Sequence, residues 1–414
     1  MDKRQLILYG AGCVGKALVE KLMRFKIHIE CLCDADPAKR GIEYFGYVVK
    51  SIDEVKAQYK KGEYSLFVSV TPYNAGRVKN NLICQGIFDA FDFCNDSLDE
   101  LIISRMPDNG KNNREKREHC ISMTEKNYIQ LNSELENSLK KTLLATRFSD
   151  ENYMRTENGK QDFFDHLYGR LNMYRSRMIP WLESIRSIKG AKILEIGCGT
   201  GASTLALCEQ GACVTAVDLD EWGLEIARKR IEIYGLKAEI IKLSAVDIKT
   251  RFYGGFDFII YAASIEHMTY TERIQTIKAA YDMLDNGQYI IVVDTPNRLW
   301  HTDSHTSKEP FYYWLPDALA MDYAKFTSRE KFNQEFGEDS EDNLLKFARW
   351  GRGVSYHEFE AAIGRGRLKA ISNMDDFFDL PDSLYKKLLK INGPEHICDG
   401  FYVSTLNIAL GKTI

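Results

Sequence analysis

Lys192-Ile193-Leu194-Glu195-Ile196-Gly197-Cys198-Gly199-Thr200-Gly201 is the stretch that decides the fold. A short aliphatic run meets three glycines spaced by two, and a helical stretch, Ser203 to Gln210, follows. Strand, permissive turn and helix are the opening of a parallel α/β unit. Strand-like runs recur at Cys213 to Val217, Ala238 to Lys242, Phe256 to Tyr261 and Gln288 to Asp294, with helical sequence between them. Two more, Lys369 to Ile371 and Phe401 to Leu410, come late. This alternation predicts a doubly wound sheet, in which a ligand lies beyond the carboxyl ends of the strands.

Gly197, Gly199 and Gly201 let the backbone approach a ligand that a Cβ would hold away. Asp218 ends the second strand about twenty residues on, where a carboxylate accepts both hydroxyls of a ribose. Glycines plus an acid fit any adenosine-containing cofactor. Glu195 before them, and a Gly-x-Gly-x-Gly spacing in place of the dinucleotide fingerprint's Gly-x-Gly-x-x-Gly, narrow the choice. On these residues, Pro180 to Asn297 resembles the class I S-adenosylmethionine-dependent methyltransferases, whose first motif reads acid-x-Gly-x-Gly-x-Gly. The resemblance implies an enzyme with S-adenosyl-L-methionine as cofactor, held by Glu195, Gly197, Gly199, Gly201 and Asp218. It also places Ser244 and Ala245 beside the adenine, although family members often carry Asp where this chain has Ser244.

Methyl transfer from a sulfonium is an in-line displacement: the acceptor atom must be held close and, if a hydroxyl, relieved of its proton. Glu266 and His267 follow the fourth strand, where many related enzymes carry an acid–His pair, and are the first catalytic candidates. The alternative is that Glu266 caps a helix or closes the methionine pocket while His267 orients the loop. After the fifth strand, His301, Asp303 and His305 alternate, so an extended segment would throw all three to one side. They would then ligate a metal or hydrogen-bond a polyhydroxylated acceptor with His305 as base, or else merely structure the loop; metal-independent chemistry, with no metal site, is the expectation. Trp300, Phe311, Tyr312, Tyr313 and Trp314 share this segment and serve either a core or a sugar ring. The Thr295-Pro296-Asn297-Arg298 to Trp314-Leu315-Pro316 run resembles a subset of bacterial methyltransferases of surface-glycan and nucleotide-sugar pathways, which implies a sugar or glycan precursor as acceptor. Arg170, on a preceding helix, is a candidate partner for the methionine carboxylate in the same family reading.

The strand–turn–helix grammar also opens the chain. Leu6 to Tyr9 runs into Gly10-x-Gly12-x-x-Gly15, and Asp34 ends a strand read over Ile27 to Cys33. This is the context a dinucleotide fingerprint requires. The unit runs only to about Phe93, and the chain has no Tyr-x-x-x-Lys dyad, so a complete oxidoreductase is not expected. The segment resembles small Rossmann-like domains that precede sugar-modifying transferases, which leaves a nucleotide or nucleotide-sugar site, NAD, or a docking role open.

The expected organisation of the 414 residues is a Rossmann-like domain over 1–105, a helical linker over 106–160, and a methyltransferase domain over 161–414 with a helical cap at about 298–367. The fold class is α/β, with two doubly wound sheets. Tyr128, Leu131, Leu135, Leu139 and Leu143 predict one apolar helix face in the linker, for packing on a neighbouring domain or for self-association as a homo-oligomer. A net charge of −4 provides no basic field for nucleic acid, and no apolar run approaches a membrane span. Ten cysteines without repeated CxxC spacing fit a reduced, cytoplasmic chain. The rival reading, from another class, is a non-catalytic nucleotide-binding or scaffold protein that retains cofactor affinity.

Overall fold

The computed structural model describes residues 4–24, 27–60, 62–87, 90–92, 114–130, 132–336, 343–380 and 401–413. The chain forms two compact units that interleave: Met1–His119 with Leu143–Arg177, and Cys120–Thr142 with Met178–Ile414. The stretch read as a linker therefore contributes to both, while the boundary expected at 105 lies outside the described residues. Residues 120–142 join the second unit through polar bonds. The Gln210 side chain donates to the Thr124 carbonyl at 3.1 Å and accepts from Asn127 at 2.8 Å, and the Ile129 N–H donates to Glu209 at 3.1 Å. The expected continuous apolar face is interrupted, because the helices are Arg114–Glu125 and Ser133–Ala145, with Leu139 and Leu143 buried.

In the first unit, β1 (Gln5–Tyr9), β2 (Cys31–Cys33), β3 (Glu43–Tyr44), β4 (Tyr47–Lys50), β5 (Tyr64–Val68) and β6 (Ala90–Asp92) form a sheet of order β3-β4-β2-β1-β5-β6. Only the β3–β4 pair is antiparallel. Leu6 and Leu8 enter one core and Ile7 the other, which is why β1 reads as an unbroken apolar run: both faces of a parallel sheet are covered. β2 is shorter than expected. Its ladder to β1 opens only at the Ile7–Cys31 pair, so Ile27 and Ile29 pack as buried residues ahead of the strand. Cys31 and Cys33 are free thiols whose burial pushes them up to about 11 and about 12, so the close pair is inert.

The second unit holds β7 (Lys192–Ile196), β8 (Cys213–Asp218), β9 (Glu239–Lys242), β10 (Phe258–Ala262), β11 (Tyr289–Pro296), β12 (Leu368–Asn373) and β13 (Thr405–Lys412), in the order β12-β13-β11-β10-β7-β8-β9. β13 is inserted antiparallel between β11 and β12, and the other pairings are parallel. Ile259, Ile260 and Tyr261 of the central β10 are fully buried; an aliphatic side chain so placed contributes roughly 1.5–3 kcal/mol. Between β11 and β12 lie the helices Asp317–Tyr323, Glu330–Phe336, Asn343–Arg349 and Tyr356–Ile363. This insertion has its own core of Tyr312, Ala320, Ala324, Phe332, Phe336 and Phe347. Buried Arg352 ties it together by donating to the Tyr312 and Leu315 carbonyls at 2.9 and 3.0 Å. No helix among the described residues is long and apolar enough to cross a membrane.

Candidate active site

The turn after β7 is built by three glycines with different duties. A Cβ on Gly197 would lie 2.4 Å from the Ser264 Cβ, and one on Gly201 would lie 2.9 Å from that of Ala227, so close packing of the fold dictates these two. Gly199 has φ +50° but no atom within 4 Å of its Cβ position, so the space above it stays open. Its N–H donates to Asp218 Oδ2 at 2.8 Å, and the other carboxylate oxygen accepts from the Asp220 N–H at 2.9 Å. Arg230, fully buried, donates to the Thr200 carbonyl at 2.9 Å and holds the turn from behind. Ser244 and Ala245 begin a short helical turn after β9, where the Leu243 N–H donates to the Asp218 carbonyl at 3.0 Å. Glu195 differs from the rest. It is fully buried and accepts from Ser203 and, at 2.6 Å, from Thr204, so it pins the glycine turn to the following helix. Burial, foremost, pushes its carboxyl up to about 7 against those bonds.

β10 ends in strain: Ala263 takes φ +48°, and its N–H donates to the Val293 carbonyl at 2.8 Å. The turn Ile265–His267 that follows brings Glu266 and His267 beside His305 from the loop after β11. One ligand-type atom from each of the three lies within 4.8 Å of the others. Glu266 is fully buried; Thr295 donates to its Oε2 at 3.1 Å, while Oε1 has no hydrogen-bond partner among the described residues. Burial above all, with Asp294 adding to it, pushes this carboxyl up to about 8. His267 Nδ1 meets the Arg349 carbonyl at 2.8 Å and His305 Nδ1 meets that of Gly351 at 3.1 Å. A carbonyl only accepts, so each imidazole carries a proton on Nδ1. His267 Nε2 stands 3.8 Å from Glu266 Oε1. Burial holds His305 below the ordinary imidazole range, with Asp303 opposing.

Two arginines and a glycine that the sequence reading did not single out hold this cluster in place. Buried Arg273 donates to the Glu266, Met268 and Gly353 carbonyls and pairs with Glu358 at 3.2 Å. Arg349 donates to the His267 carbonyl at 3.1 Å and forms a two-point pair with Glu272, both contacts at 2.6 Å. Gly351, at φ +83°, fits among the three candidate side chains: its Cβ would lie 3.0 Å from His305 and 3.1 Å from both Glu266 and His267. The sequence signal was Trp350-Gly351-Arg352-Gly353, two glycines straddling an arginine after a helix.

The alternation of His301, Asp303 and His305 does not produce a shared face. Asp303 is buried and folds the chain back on itself: its carboxylate accepts from the N–H groups of His305, Thr306 and Ser307 at 2.9, 2.7 and 2.8 Å, and from the hydroxyls of Thr306 and Ser307. An aspartate followed closely by threonine and serine captures local backbone donors, and that turn chemistry overrides an extended course. His301 is exposed, bonds its neighbour Thr302 at 2.7 Å and packs on Trp300 with ring centroids 4.9 Å apart. Of the aromatic group, Tyr312 and Tyr313 are core, while Phe311 and Trp314 are exposed and pack together at 4.9 Å. Arg170 belongs to the first unit.

In the first unit, Gly10 and Gly15 are likewise fixed by packing. Their Cβ atoms would lie 2.5 Å from the Ser69 carbonyl oxygen and 1.7 Å from that of Gly10, whereas Gly12 has nothing within 4 Å. Asp34 reproduces the bonds of Asp218, accepting from the Ala11 N–H at 2.8 Å and the Asp36 N–H at 2.9 Å. It adds an ion pair to Lys39 at 2.9 Å. Burial would raise this carboxyl; Lys39 and the two N–H groups outweigh it and hold it below the usual range.

Residues 193–287 match the family described as "Methyltransferase domain". The chain is 30% identical over 148 residues to the ubiquinone biosynthesis O-methyltransferase of Dechloromonas aromatica, covering 36% of this chain and 63% of that protein. It is 27% identical over 120 residues to the protein of that name from Pseudomonas aeruginosa, covering 29% of this chain and 50% of the relative. The chain thus spans between half and two thirds of these relatives. Among solved structures, an S-adenosylmethionine-dependent methyltransferase from Clostridium acetobutylicum is similar over 33% of this chain and 57% of its own, at 21% identity and a TM-score of 0.28. Residues 193–287 of this chain are thus similar to a methyltransferase domain, and they carry four of the strands of the second unit's sheet, β7 to β10.

Proposed function

We propose that the second unit transfers a methyl group from S-adenosylmethionine to an acceptor oxygen. The observation that carries the reading is the turn at Gly199. A strand-end carboxylate fixes its N–H, and the space where a side chain would stand is kept clear, as the cofactor's approach requires. Asp218 would accept the ribose hydroxyls, Gly197 to Gly201 would line the approach, and Ser244 and Ala245 would flank the adenine. The cofactor supplies an electrophilic methyl on a positively charged sulfur. This chain's work is to bind it, orient an acceptor and provide for the acceptor's proton.

Glu266, His267 and His305 form the acceptor end, on loops after the adjacent strands β10 and β11. The Nε2 lone pair of His267 is oriented to take a hydroxyl proton, with the buried Glu266 beside it. Two curated relatives are named O-methyltransferases, which favours oxygen over nitrogen or carbon. They lend no support to the sugar or glycan precursor expected from the sequence, so phenolic and sugar hydroxyls are both to be offered. In the first unit, Gly12 and Asp34 would hold a nucleotide, NAD or a nucleotide-sugar. The test is conversion of S-adenosylmethionine to S-adenosylhomocysteine by the purified full chain with these acceptors. His267→Gln should leave S-adenosylhomocysteine affinity in place and lower turnover about 100-fold or more. Absence of turnover with every acceptor class, despite tight cofactor binding, would favour the non-catalytic binding protein.

A further inference from the structure

We propose that Glu266, His267 and His305 form a binding site for a divalent first-row transition-metal ion of the zinc class. Three features of the cluster point there. It offers two imidazoles and a carboxylate, a donor set that suits zinc, cobalt, manganese or iron(II), with ligand atoms within 4.8 Å of one another. Bonds of about 2.0–2.2 Å would draw those atoms inward by roughly an ångström. Both rings are also already set as ligands. Each Nδ1–H is donated to a backbone carbonyl, Arg349 at 2.8 Å and Gly351 at 3.1 Å, so Nε2 is the atom each ring would offer a metal. This is the outer-shell arrangement that orients metal-binding histidines. Finally, Glu266 Oε1 is buried with no hydrogen-bond partner among the described residues, on a side chain with no exposed surface, 3.8 Å from His267 Nε2. An orphaned buried carboxyl oxygen is costly, and coordination to a cation relieves it.

The surrounding charge permits a cation. Arg349 is neutralised by Glu272 and Arg273 by Glu358, while Arg329, which donates to the His305 and Thr306 carbonyls, has Asp303 nearby. The site differs from the sequence expectation of no metal, and from the alternative that used His301 and Asp303. Three protein ligands leave positions open for oxygen donors, so the ion would seat an acceptor hydroxyl and lower its pKa, its proton passing to solvent water; His267 would then be a ligand, and its role as base would belong to the metal-free protein. That last consequence rests on the methyl-transfer reading; the binding itself does not.

Full-length protein stripped with chelator is titrated with Zn2+ by calorimetry and with Co2+ by visible absorption. The expected result is one equivalent bound per chain, with cobalt bands that report nitrogen ligation. His305→Ala and Glu266→Gln should each weaken Zn2+ by at least about tenfold, and His267→Ala should abolish the cobalt bands. His301→Ala, on the exposed neighbour, should change nothing. Circular dichroism and S-adenosylhomocysteine binding certify that each variant is folded, and if Glu266→Gln is not, His305→Ala decides. Either no saturable uptake by the wild type, or uptake equal in the His305→Ala and His267→Ala proteins, overturns the site. Because the readout is metal binding, its failure would leave the methyl-transfer reading standing.

Discussion

Asp218 orders its own turn through the Gly199 and Asp220 N–H groups while its position at a strand end suits a ribose, so one carboxylate would serve both fold and ligand. Asp218→Ala should weaken S-adenosylhomocysteine binding by roughly 1.5–3 kcal/mol, the usual worth of hydrogen bonds to a charged group. Asp218→Asn, which keeps an acceptor for Gly199, should retain more of the affinity. Calorimetry on both decides, and unchanged affinity in a folded Asp218→Ala protein would move the cofactor elsewhere. The sequence marked Glu195 as a motif residue but not its task, because the Ser203 and Thr204 hydroxyls reach it only once the turn has folded. Its carboxyl stands at about 7 in the fold against 4.5 for a free glutamate. Between those values the native state holds a proton that the unfolded chain has released, so stability falls as pH rises through this window. The contribution is fully present below 4.5 and lost above about 7. Glu266, pushed up to about 8, acts with the same sign. Glu195→Gln should therefore make the pH dependence of the thermal midpoint shallower without flattening it; an unaltered slope would show that Glu195 does not hold the proton.

Strands were the most legible elements, because a sheet covered on both faces writes itself as short apolar runs between glycine turns. The β7 bounds match the expected ones, and β8, β10 and β11 differ from expectation by a residue or two at either end. What stayed hidden is how the loops fold back. The alternating polar residues at 301, 303 and 305 carry the signature of a strand face, yet Asp303 spends its carboxylate on His305, Thr306 and Ser307, and only His305 reaches Glu266 and His267. The element that completes this cluster comes from the insertion, some forty residues further on, and single-sequence periodicity carries no information about that approach. Gly351→Ala tests it. At φ +83° an L-residue costs about 1–2 kcal/mol. Here the new methyl also presses on both imidazoles and on Glu266, so turnover should fall while cofactor affinity holds. Gly366→Ala, at φ +74° with nothing within 4 Å, carries the backbone cost alone and is the control. Equal activity in the two variants would mean that Gly351 is needed only for its conformation.

At the scale of the molecule, the same device appears twice: a mostly parallel sheet, two glycines locked by packing, one glycine left open, and a strand-end aspartate bonded to the turn. The doubling was legible because each copy is local, within about thirty residues of chain. The interleaving of the units was not legible, since it depends on which surface the helices between the sheets pair with, as Asn127 and Ile129 do with Gln210 and Glu209. The copies differ in that Asp34 accepts from Ala11 where Asp218 accepts from the open glycine, and in the ion pair that Lys39 makes with Asp34. A lysine there neutralises the acid and places an ammonium near the turn, which favours a phosphate-bearing ligand over a bare ribose. If each turn serves its own ligand, a side chain at Gly12 should silence the first without touching the second. Gly12 has room for it, with nothing within 4 Å of its Cβ, so Gly12→Val should fold. NAD, ADP and a uridine diphosphate sugar are the probes, read by thermal shift on the full chain. One of them should raise the wild-type midpoint and fail to do so in Gly12→Val, because the branched side chain fills the space a pyrophosphate needs above the helix N-terminus. Affinity for S-adenosylhomocysteine, measured by calorimetry on the same protein, should be unchanged. Loss of that affinity in the folded variant would show that the two turns do not act independently, whereas a midpoint insensitive to all three probes in the wild type would leave the first unit a docking surface.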